Sequence, residues 1–90
     1  MAVTERVRLT NKLGLHARAA SRLVRAASAF DCEVWLTRDG RRVNGKSIMG
    51  VLMLAAPCGA ELEIECFGSD EQQALRTLVE LIADRFGEAQ

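Results

Sequence analysis

Hydrophobic and polar residues alternate from Val3 to Leu9, with Val3, Val7 and Leu9 on one side and Thr4, Arg6 and Arg8 on the other. A period of two marks a strand with one buried face, and Glu5 is the one position out of step. Asn11-Lys-Leu-Gly14 interrupts the pattern as a loop. From His16 to Phe30 the period changes: Ala20, Leu23, Val24 and Ala27 recur at helical spacing, and Arg18, Arg22 and Arg25 share a second face. Alternation returns at Cys32, Val34 and Leu36 against Glu33, Trp35 and Thr37. Asp39-Gly40 then separates this run from Arg41-Arg-Val43, as in a two-residue hairpin.

The second half reads the same way. Ser47 is placed to cap a short helix running to Met53, although Gly50 weakens that helix. Pro57 to Gly59 is a turn. Glu61 to Phe67 alternates cleanly, with Leu62, Ile64 and Cys66 inward and Glu61, Glu63 and Glu65 outward. Ser69-Asp-Glu-Gln72 resembles a capping box, Leu75, Leu78, Leu81 and Ile82 form a helical stripe after it, and Gly87 is placed to end that helix. The order is βαββαβα. Each strand has one apolar and one polar face, which predicts an α+β fold with a largely antiparallel sheet, helices on one face and water on the other. Arg6 and Arg8 would meet Glu63 and Glu65 if the first and last strands are neighbours.

Length and charge narrow the classes. Ninety residues predict one domain over 1–90 with a thin core. Twelve basic and twelve acidic side chains cancel, which argues against a nucleic-acid footprint. The longest apolar stretch, Val51 to Pro57, is too short to span a membrane, and Met1 to Arg6 shows no apolar signal core, so a cytoplasmic location is expected. Cys32, Cys58 and Cys66 are scattered and odd in number, as reduced thiols are. No CxxC or HxxxH spacing supports a metal site.

The one histidine, His16, stands where the loop becomes helix and lies off the core stripe. Gly14 before it allows a tight turn and a close approach of backbone. The amides of Ala17 to Ala19 begin the helix without intrahelical partners and, with the helix dipole, favour an anion. Arg18 can bond a phosphate through paired donors. A neutral imidazole is a nucleophile. On spacing alone, an anion site with a nucleophile and an ordinary surface histidine both fit.

Gly14-Leu-His-Ala-Arg-Ala-Ala20 resembles the active-site signature of the HPr phosphocarrier family of the bacterial phosphoenolpyruvate-dependent phosphotransferase system, usually Gly-Leu-His-Ala-Arg-Pro-Ala. Asn44-Gly-Lys-Ser-Ile-Met-Gly50 resembles the family's second signature, and the likeness runs along essentially the whole chain. The resemblance implies an open-faced β-sandwich: a four-stranded antiparallel sheet with three helices on one face. It implies a stoichiometric phosphoryl carrier rather than an enzyme, needing no cofactor. His16 matches the histidine phosphorylated on Nδ1, Arg18 the arginine that assists transfer, and Ser47 the serine that a dedicated kinase phosphorylates in some bacteria. Ile48, Met49 and Leu52 match the apolar docking patch, and Arg22 and Arg25 extend it as a basic stripe for an acidic partner. Enzyme I is the implied donor, enzyme IIA proteins the acceptors, and a monomer the expected state. Ala19 departs from the family's usual proline, which predicts some loss of rigidity in the first turn without loss of function.

Two other readings compete. Gly40-Arg-Arg-Val-Asn-Gly-Lys-Ser47 fits the P-loop string, but Asp39-Gly40 already reads as a hairpin and the later strand's glutamates face outward, which leaves no magnesium ligand. A regulatory relative of the same fold that is not phosphorylated is disfavoured because such paralogues generally lack the histidine. Of Ile48, Met49 and Leu52, one or two are expected to face inward, with Met49 and Leu52 favoured as exposed.

Overall fold

A computed structural model describes residues 1–90. In chain order the elements are β1 (Val3–Arg8), α1 (Ala17–Ser28), β2 (Glu33–Arg38), β3 (Arg41–Asn44), α2 (Ile48–Met53), β4 (Glu61–Phe67) and α3 (Glu71–Ala83). A tight turn, Arg85–Gly87, follows α3. The four strands form one sheet in the order β1-β4-β2-β3, and every neighbouring pair is antiparallel. Asp39 and Gly40 join β2 to β3 with φ of 50° and 80°. Two successive positive φ values match the right-handed twist of a hairpin, which explains the Asp-Gly choice.

Alternation in the strands becomes a two-faced sheet. Val34 and Leu36 of β2 and Leu62, Ile64 and Cys66 of β4 are buried beneath the helices. The helices close over them with Ala19, Ala20, Leu23 and Ala27 from α1, Val51 from α2, and Ala74, Leu78 and Ile82 from α3. The alanines of α1 lack the bulk that would hold the helix axis away from the sheet, so its start, and His16 with it, is fixed close to the core. Nineteen buried residues form one continuous cluster. Cys32 and Cys66 belong to it as free thiols, and burial, reinforced by the neighbouring Cys32, pushes the Cys66 thiol up to about 12. Cys58 is exposed in the turn before β4.

The other sheet face is polar. β1 and β4 are neighbours, with Arg6 opposite Glu63 and Arg8 opposite Glu61. The ion pairs that form are Arg8–Glu61 and Arg42–Glu65, each at 3.2 Å. Arg42 comes from β3 and also covers the Trp35 ring, 4.1 Å from its centroid. Such exposed pairs add only about 0–1 kcal/mol each.

The end of the chain departs from the sequence reading. Ser69 does not cap α3: Asp70 occupies the cap position, and its carboxylate reaches away to the amides of Asp31 and Cys32, both at 2.9 Å. Glu71, the first residue of the helix, instead accepts from the Gly68 amide at 2.9 Å, so no capping box forms. Ala74, not Leu75, lies at the centre of the buried stripe, while Leu75 and Leu81 pack at its edge. The helix stops at Ala83, before Gly87. Arg85, Phe86 and Gly87 then turn with φ of 54°, 56° and 78°, and Phe86 plunges into the core at 1% exposure.

Candidate functional site

The loop before α1 is held in place by backbone contacts. Gly14 has φ +64°, and a Cβ there would lie 2.4 Å from the Ala56 carbonyl oxygen. That carbonyl accepts from the Leu15 amide at 2.9 Å, and Leu15 is buried. His16 follows as the N-cap residue, extended at φ −73° and ψ 177°, and its carbonyl accepts the Ala20 amide at 2.8 Å. Its side chain does not cap the helix. The amides of Ala17, Arg18 and Ala19 precede the first intrahelical hydrogen bond and have no backbone acceptor. They form a positive helix end.

His16 Nε2 lies 2.6 Å from Glu88 Oε2, with the two side chains 25% and 13% exposed. The other Glu88 oxygen accepts from Asn11 Nδ2 at 3.0 Å, and the same nitrogen donates to the Gly14 carbonyl at 2.7 Å. Asn11 is the one polar residue other than glycine that is fully buried. Burial pushes the Glu88 carboxyl up, but hydrogen bonds from Asn11 and His16 and the charges of His16 and Arg22 outweigh it, so the group lies below the usual carboxylate range. Lys12, Leu13, His16, Arg18, Glu88 and Gln90 line a cleft of about 300 Å³. Arg18 is exposed there. The cleft brings a nucleophilic ring together with the cations Lys12 and Arg18, the Glu88 carboxylate lies behind the ring, and the positive end of α1 begins beside it, an arrangement that suits a tetrahedral anion carried at the surface.

The other residues singled out in the sequence surround this cleft unevenly. Arg25 is exposed, whereas the Arg22 guanidinium donates to the Phe86 carbonyl and so braces the terminal turn. Ile48, Met49 and Leu52 are all exposed, at 40%, 69% and 37%. The inward residue of α2 is Val51, and Met53 joins the exposed set, so the expectation that one or two of the three face inward is corrected. A six-residue helix offers one narrow buried line, and Val51 fills it. Ser47 caps α2, its Oγ accepting from the Gly50 amide at 3.2 Å. The P-loop string is spread over a hairpin turn, a strand and this cap. Its Lys46 Nζ donates to the Phe30 carbonyl at 2.6 Å. α1 packs on α2, so the Ser47 end and the His16 helix share one side of the molecule.

Residues 3–84 match the family model described as the PTS HPr component phosphorylation site. The chain belongs to the HPr family. It is a phosphocarrier of the phosphotransferase system. The phosphocarrier protein HPr of Neisseria meningitidis serogroup A is 51% identical over 84 residues, covering 93% of this chain and 94% of its own. A solved HPr structure from Thermoanaerobacter tengcongensis superposes with a TM-score of 0.92 at 40% identity, covering 100% of this chain and 99% of its own. An HPr dimer from the same organism matches at a TM-score of 0.78 and 41% identity, over 91% of this chain and 94% of its own. The open four-stranded sheet with three helices on one face is thus the HPr fold.

Asn11, Lys12, Leu13, Phe86 and Glu88 at or behind the cleft, and Met53 beside the apolar patch, carry no role in the sequence reading. Exposed Leu13 and Met53 lie in segments too short for a period to assign a face. Glu88 carries no local signal, since it meets His16 across 72 residues of chain.

Proposed function

We propose that this HPr-family chain accepts a phosphoryl group from enzyme I on Nδ1 of His16 and passes it to enzyme IIA proteins. It acts as a stoichiometric carrier, and residues 1–90 work as one HPr domain, monomeric and cytoplasmic. The observation that carries this reading is the imidazole at the first turn of α1, beside unpaired amides and in a cleft with Arg18 and Lys12. A phosphoryl group there gains hydrogen bonds and charge without being buried. A carrier needs that exposure, because donor and acceptor must each approach the phosphorus in line.

The remaining roles follow from position. Arg18 steadies the charge on the transferring group. Ile48, Met49 and Leu52 form the apolar docking surface, with Met53 beside them, and Arg25 supplies basic charge to an acidic partner. Arg22 contributes through its brace on the Phe86 carbonyl. Ser47 is the site where a dedicated kinase regulates the carrier: a phosphate at the start of α2 is locally favourable and places negative charge next to Ile48 and Met49.

The test is incubation with enzyme I and phosphoenolpyruvate, followed by intact-mass measurement. The expected product gains one phosphoryl mass that is lost in acid, and His16→Ala gains none. Absence of the adduct on the unmodified chain overturns the reading.

A further inference from the structure

The terminal turn is built to hold one side chain in place. Phe86 is buried at 1% exposure, its carbonyl accepts from the Arg22 guanidinium, and the amides of Gly87 and Glu88 each donate 2.9 Å back to Asp84 and Arg85. Arg85 and Phe86 hold positive φ without being glycine, a conformation that L side chains avoid and that persists only where the surroundings impose it. The outcome is a carboxylate fixed at both oxygens, one on buried Asn11 and one on His16 Nε2.

We propose that Glu88 is a positioning residue for phosphoryl transfer, setting the tautomer and ring orientation of His16. This rests on the phosphocarrier reading above. An ionised carboxylate can only accept, and the favourable hydrogen bonds to Glu88 keep it ionised. Nε2 therefore bears the hydrogen, and in the neutral ring the lone pair resides on Nδ1. Nδ1 makes no hydrogen bond within the protein. The same arrangement of a carboxylate behind one imidazole nitrogen orients catalytic and metal-binding histidines on unrelated folds.

In the transfer step the Nδ1 lone pair forms the new N–P bond as the donor's bond to phosphorus breaks and its electron pair returns to the donor. No proton leaves Nε2. The ring becomes positive as the bond forms, and the Glu88 carboxylate 2.6 Å away stabilises that charge. When an acceptor takes the phosphoryl group, the pair returns to Nδ1 and the ring is neutral again with the same tautomer. Glu88 thus readies the histidine for each cycle without touching the phosphoryl group.

The test compares the intact chain with Glu88→Ala and Glu88→Gln, by ring 15N NMR of His16 at alkaline pH and by the rate of phosphorylation by phospho-enzyme I. In the unmodified chain the neutral ring is expected almost wholly as the Nε2–H form. Glu88→Ala should gain a measurable Nδ1–H fraction and lose about 10-fold in kcat, with KM for the donor nearly unchanged, the lower end of what removing such an orienting partner costs. Glu88→Gln keeps an accepting oxygen and should restore the tautomer and part of the rate. Unchanged ring spectra and kcat in folded Glu88→Ala overturn the proposal. The ring spectra require no phosphoryl transfer, so this failure is distinct from absence of phosphorylation in the unmodified chain, which would overturn the carrier reading itself.

Discussion

Gly14 lies so close to Ala56 that a single methyl group between them would approach the Ala56 carbonyl oxygen to 2.4 Å. The carbonyl is also the acceptor that fixes the Leu15 amide, so the contact sets where His16 begins. Gly14→Ala combines this clash with a left-handed φ, which alone costs about 1–2 kcal/mol. The variant should be at least about 2 kcal/mol less stable in urea denaturation and should accept phosphate more slowly, because the helix start must shift. Unchanged stability would mean that the two backbones separate freely there.

Asp70 gives the fold an acid-sensitive joint. The Asp31 amide lowers its carboxyl most, burial opposes this, and the Cys32 amide lowers it further, leaving it below its ordinary 3.8. A depressed carboxyl contributes stability above its unfolded value, and the contribution is lost as pH falls through the folded value. The unmodified chain should lose stability as pH drops through 3.8 and below, and Asp70→Asn should flatten this part of the acid limb. Urea midpoints across the acid range check it; parallel curves would assign the acid limb to other carboxylates.

These two sites mark what the sequence makes legible. Strand and helix faces were readable because a half-buried sheet imposes period two and a half-buried helix period 3.6, and Asp39-Gly40 and Ser47 act through neighbours one to three residues away. The capping box at Ser69 misled because Asp70 has a stronger, distant engagement with Asp31 and Cys32. His16 and Arg18 were visible as a motif. Glu88 was not, since its place depends on buried Phe86 and a left-handed turn with no periodic signal.

Ser47 separates its two roles by substitution. Ser47→Ala removes the acceptor of the Gly50 amide and should cost about 1 kcal/mol. Ser47→Asp retains a capping oxygen, so its stability should stay close to that of the unmodified chain while its affinity for enzyme I falls through the added charge next to the apolar patch. Calorimetric titration with enzyme I is the measurement, and equal affinity for Ser47→Asp would count against charge-based regulation.

Ala19→Pro restores the residue usual in the family. The Ala19 amide has no backbone acceptor, so no helical hydrogen bond is lost. Ala19 is fully buried, and the ring must fit against the core. Stability should change by no more than about 1 kcal/mol and phosphorylation should persist. Complete loss of phosphotransfer would show that the first turn of α1 is not built as described.

His16 is proposed to carry the phosphoryl group on Nδ1 while Nε2 stays with Glu88. The direct measurement is 15N and 31P NMR of the chain labelled at histidine and phosphorylated through enzyme I. One phosphorus signal coupled to Nδ1 of His16 is expected, with the hydrogen retained on Nε2. Phosphorus on Nε2, or on any residue other than His16, would contradict it.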